Sequence, residues 1–281
     1  MPIFCRFYVV TFTLVIISGC AAEYKTLRAQ EISDAGINYA SDMQKFFEYE
    51  QRQFSILIAQ QLAERSRTET EYYKARETAF KQNADIQKAL DNVGLLKKYF
   101  TLLGKLAKDD STETAKRLES ITGTLKNKLH MAKINDSIEG AVPDIGASAA
   151  VAYHGHLIGN VFKRDGDTVA LALRALRHFI IQEKNKYSET ARRPDVLGHY
   201  QVIPYVNTPQ NAALSAQWVA EFADRASYAT PQSAFDGAIK ASLAMEQAWI
   251  ETVKGTLTTE EFFITLDRFS FTMDALSQLH R

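Results

Sequence analysis

The sequence predicts an all-α protein, a multi-helix bundle with one long N-terminal helix and a three-helix bundle at its C-terminal end. Three observations lead there. Six prolines and thirteen glycines are few for 281 residues, so little interrupts a helix. Apolar residues recur every three or four positions over most of the chain, which places them on one helical face. Helix-start signals are also repeated, with Thr-Pro-Gln at Thr208 and again at Thr230, and Thr258 followed by Glu261.

Taken in order, Glu23 to Leu90 is polar, lacks proline and contains a single glycine, Gly36. Tyr39, Met43, Phe46, Glu50, Phe54 and Leu57 share one helical face. Residues 63–85 are charge-rich and thinly apolar, as in a helix covered on one side only. A separate, more apolar helix is expected through Ile86, Val93, Leu96, Phe100 and Leu103. Asp109-Asp110-Ser111 should end it, and Asp110 with Glu113 reads as a capping box for the next helix. That helix carries Leu118, Ile121, Leu125 and Leu129.

The stretch from Gly140 to Phe162 is nearly uncharged and rich in small residues, including Gly155 and Gly159. This spacing lets helices approach closely, but His154, His156 and Asn160 are costly in hydrocarbon. A tightly packed internal helix is the expectation. Asp165-Gly166-Asp167 reads as a turn, followed by a helix with Val169, Leu173, Leu176 and Ile180. Residues 192–209 form the one long irregular stretch. Three helices over roughly 209–229, 231–254 and 259–279 complete the chain, with Trp218 and Trp249 as expected core residues.

The N-terminal segment carries a different message. Arg6 precedes the apolar run Phe7 to Ile17, and Ile17-Ser18-Gly19-Cys20 follows. The run is far shorter than the roughly 20 apolar residues a membrane-spanning helix needs. A charged start, an apolar segment and small residues before a cut site make a secretory leader. The aliphatic-small-Gly-Cys pattern resembles the lipobox of bacterial lipoproteins, a resemblance confined to residues 1–20. It implies removal of residues 1–19, acylation of Cys20 by palmitate-like chains and attachment to a membrane. With Ala21 rather than Asp after Cys20, the resemblance further implies an outer-membrane address facing the periplasm.

Both cysteines, Cys5 and Cys20, lie in this leader. The body, divided for description into residues 20–140 and 141–281 packed as one, is then left without thiol or disulfide and must hold together by its core. Lys plus Arg and Asp plus Glu each number 33, without a long run of either sign. A nucleic-acid partner therefore has no electrostatic footing.

Candidate chemistry is sparse. His154 and His156 point about 200° apart on a helix and cannot share a metal there. Asp165-Gly166-Asp167 lacks the remaining ligands of a calcium loop. No Gly-x-Ser-x-Gly nucleophile is present, and Glu260-Glu261 suits a helix start. Neither a cofactor nor a metal is expected. The irregular stretch gathers Arg192, Arg193, His199, Tyr200 and Tyr205, side chains typical of protein interfaces.

The expectation is therefore a lipid-anchored, non-catalytic binding or scaffold module with an envelope protein as partner. An inhibitor or immunity-type lipoprotein, blocking an envelope hydrolase or toxin, is the alternative. An enzyme using His154 or His156 with Asp165 or Asp167 ranks third.

Overall fold

The apolar stripe near the start of the chain forms helix α1 (residues 26–54), whose Ile32, Tyr39, Met43, Phe46 and Phe47 are buried. The computed structural model describes residues 26–54, 69–131, 157–191, 229–256 and 260–278, and among them there are six helices and no strand. The all-α multi-helix bundle is the fold. The further helices are α2 (Glu69–Asp109), α3 (Thr112–Met131), α4 (Leu157–Ala191), α5 (Ala229–Lys254) and α6 (Glu260–Gln278). One hydrophobic core draws residues from all six.

Helix α1 is central because it meets four neighbours. It crosses α2 at Gly36, where an added Cβ would overlap the Phe100 ring, and a Cβ at Gly104 would come within 3.2 Å of Ser33 Cβ. Phe46 stands edge-on to Phe235 of α5 at 5.3 Å, and Phe47 lies 5.8 Å from Phe179 of α4. Tyr39 bonds the Ser242 hydroxyl of α5 at 2.8 Å. Since Ser242 donates to the Ala238 carbonyl, the Tyr39 phenol is the donor. Lys45 reaches Asp274 of α6 at 2.7 Å.

The bundle is sealed by Trp249 of α5. Its indole lies edge-on to Phe162 at 5.4 Å and to both Tyr99 and Phe100 at 5.8 Å. Edge-to-face pairs of this kind add to the gain from burial alone. Helix α3 packs on α2 and α4, and α6 lies along α5.

Three expectations are corrected. Residues 69–109 form a single helix, so the charge-rich part and the apolar part are continuous across Asp85 and Ile86. Charged, long side chains propagate a helix well, and composition changes only which face is covered. The cap of α3 is Ser111, whose hydroxyl accepts from the Thr114 N–H at 3.4 Å. Asp110 instead ends α2 in the left-handed region, φ 43°, with its N–H on the Leu106 carbonyl.

The third correction is the larger. Asp165-Gly166-Asp167 is not a turn but lies inside α4. A glycine within a helix costs about 1 kcal/mol, and tertiary contacts outweigh it. Arg164 grips Asp165, the Gly166 carbonyl accepts from Trp249, and Val169 and Ala170 are buried just beyond.

Helix α5 stops at Gly255. Its φ is 75°, with Gly255 N–H on Thr252 and Thr256 N–H on Glu251. These two bonds make a Schellman cap, and Arg28 of α1 donates to the Gly255 carbonyl at 2.9 Å.

Candidate functional site

The residues singled out from sequence divide by position. Cys20, His154, His156, Arg192, Arg193, His199, Tyr200, Tyr205 and Trp218 lie outside the described residues. Asp165 and Asp167 fall on α4, and Glu260 begins α6. What the described part reveals instead is a set of carboxylates buried between helices, and a set of large apolar side chains left outside.

The first carboxylate is Glu246 of α5. It takes the position one turn after Ser242 on the buried face, so burial follows from helical register. Arg174 and Arg177 of α4 close on it, at 2.7 Å to Oε1 and 2.8 Å to Oε2. An isolated ion at this depth would be strongly penalised, and pairing removes that cost only if the geometry is close.

The second is Asp165, held at 2.7 Å and 2.8 Å by two nitrogens of the adjacent Arg164. Arg164 continues to Glu119 and to the Ala115 carbonyl of α3, so it ties α4 to α3. Asp165 also faces the Tyr99 phenol, which makes no well-formed hydrogen bond. Burial, then the Asp165 charge, push that phenol well above its ordinary pKa. The guanidinium of Arg164 is raised in turn by its bond to Asp165.

The third is a pair. Glu50 of α1 and Glu183 of α4 meet side chain to side chain and are both buried, at 5% and 1% exposure. Gln82 of α2 donates to one Glu183 oxygen, and Lys186 donates to the other at 2.6 Å. Glu50 Oε2 is buried without a hydrogen-bond partner. Burial raises both carboxyls, Glu50 the more strongly, and the neighbouring Glu183 charge raises Glu50 further.

The outside is equally specific. On the first half of α2, Tyr72, Tyr73 and Phe80 are exposed, with Arg76 over the Phe80 ring at 5.2 Å. On α6, Phe263, Ile264 and Phe271 are exposed, Phe271 at 77%. Ile264 and Phe271 are seven residues apart and share one face of α6.

Among the described residues no three His, Cys, Asp or Glu side chains converge to hold a metal. None of the described helices is long and apolar enough to cross a membrane. The buried carboxylates belong to no sequence motif, although a signal exists. Glu50 sits on the apolar stripe of α1, and Glu183 continues the stripe Leu173, Leu176, Ile180 of α4.

In comparison with known proteins, no family model, no curated protein and no solved structure matches this chain.

Proposed function

We propose that this chain is a lipid-anchored bacterial envelope protein that acts as a non-catalytic binding module. The observation that carries the reading is Ile17-Ser18-Gly19-Cys20 directly behind Phe7 to Ile17. Acylation of Cys20 with two or more chains anchors the body stably, where a single chain would hold it only marginally. The outer membrane, with the body facing the periplasm, is the address that Ala21 favours.

Two features of the helical body support binding over catalysis. Glu246, Asp165 and Glu183 each have their oxygens engaged by Arg, Gln or Lys donors from the fold itself. Large apolar side chains at Phe80, Phe263, Ile264 and Phe271 face outward instead. Apolar side chains gathered on a helix face suit association with another protein.

Photo-crosslinking in bacterial membranes tests this reading. A crosslinker replacing Phe271 or Phe80 should give a discrete envelope-protein adduct, one placed at the exposed Lys126 should not, and the adduct should weaken in Cys20→Ala. No adduct at any of the apolar positions would refute the binding role.

A further inference from the structure

We propose that Glu50 and Glu183 form a proton-operated latch between α1 and α4, closed while one proton is shared between the two carboxyls. The pair is built for that purpose by its asymmetry. Glu183 receives Gln82 on one oxygen and Lys186 on the other, an arrangement that suits the ionised partner. Glu50 receives no donor on its buried Oε2. It is therefore the acid, donating its proton to Glu183.

Among the described residues, α2 and α4 bring charged groups to the pair. Helix α2 brings Gln82 and Asp85, and Asp85 is held by Lys88 at 2.9 Å while still raising Glu183. Helix α4 brings Lys186, a cation acting on both carboxyls. On the α5 side Phe235 stands against Phe46 and Tyr187, each one turn from Glu50 or Glu183 on its own helix, and the neighbouring Asp236 is taken by Lys184 at 2.6 Å.

Loss of the shared proton to solvent leaves two buried carboxylates in contact, with Lys186 bonded to Glu183. Like charges at this distance cannot both stay ionised in a closed interior. The junction answers by opening, letting α1 around Glu50 part from α4 so that water reaches Glu50. Between the ordinary carboxyl value of 4.5 and the raised value of the closed pair, the closed state holds one proton more than the open state. The ratio of open to closed molecules then rises about tenfold per pH unit across that window.

Hydrogen exchange on the whole chain in detergent, followed by mass spectrometry from about pH 5 to about pH 8, reads the latch directly. Peptides spanning residues 46–54 and 180–187 should gain exchange faster than the intrinsic pH dependence, while those around Trp249 should not. In Glu50→Gln the amide donates to Glu183 at every pH, so the extra slope should vanish. Infrared pH-difference spectra of the unmodified protein supply a readout that needs no variant to fold. A protonated-carboxyl band should persist above the ordinary carboxyl range and be lost from Glu50→Gln. Intrinsic exchange alone at both peptides, or absence of that band, overturns the latch.

Discussion

The indole N–H of Trp249 donates to the backbone carbonyl of Gly166 at 2.8 Å, joining α5 to a helix residue whose neighbours read as a turn. The same ring stands against Phe162, Tyr99 and Phe100, so one side chain locks α2, α4 and α5. Trp249→Phe removes the donor and part of the ring volume together. It should lower unfolding stability by about 2–4 kcal/mol, from lost packing and one buried hydrogen bond. Urea denaturation followed by circular dichroism checks this, and an unchanged midpoint would mean that the contact is idle.

Gly36 gives an opposite kind of prediction. In an isolated helix Gly→Ala adds up to about 1 kcal/mol of helix preference. Here the new methyl group meets the Phe100 ring. Overpacking should win, leaving Gly36→Ala less stable by about 1–3 kcal/mol. Adding Phe100→Leu should recover part of that loss, a coupling that a double-mutant cycle measures.

The Glu246 clamp should be far more sensitive than the surface pairs. Glu246→Gln leaves Arg174 and Arg177 without their counter-charge and should cost about 3 kcal/mol or more. Lys45 bridges Asp42 and Asp274 at 3.1 Å and 2.7 Å, but Lys45 and Asp274 are well exposed. Lys45→Ala should therefore cost less than about 1 kcal/mol, and added salt should shrink the difference. Parallel denaturation curves at low and high salt separate the two cases.

Stability should also fall as pH rises from mild acid towards neutrality. The folded-state carboxyls of Glu50 and Glu183 are raised above the value of 4.5 that the unfolded chain shares. Below 4.5 both states are protonated and their contribution is fully present; it is lost as pH climbs through the raised folded values. Asp91, lowered by its bond to Lys128, acts in the other direction, and its contribution is lost as pH falls. Thermal midpoints should therefore peak in mildly acidic buffer. A plateau continuing to alkaline pH would contradict this.

Much of the helix layout is legible in the sequence because burial follows register. The positions Tyr39, Met43, Phe46 and Phe54 on α1, and Val169, Leu173, Leu176 and Ile180 on α4, are buried as their spacing requires. Gly255 ends α5 for the local reason its left-handed φ supplies. The failures share a cause. Asp165-Gly166-Asp167 has the local chemistry of a turn, yet its helix depends on Arg164 beside it and on Trp249 from a distant segment. The break expected near Asp85 came from composition, although exposed charged residues continue a helix as readily as they leave one.

The buried carboxylates were less legible for a related reason. Glu50 and Glu183 lie on predicted apolar faces, but their meeting depends on how α1 crosses α4, which no spacing within either helix encodes. Arg174 and Arg177 announce nothing until Glu246 is placed opposite. The proposed lipobox is the reverse case: Ile17-Ser18-Gly19-Cys20 is a local pattern, and the reading drawn from it rests on those few residues.

The mass of the N-terminal peptide, isolated from bacterial membranes, tests the lipid-anchored reading most directly. The expected species begins at Cys20, lacks residues 1–19 and carries covalently bound acyl chains. A peptide with unmodified Cys20, or one that retains the residues before it, would contradict the anchor.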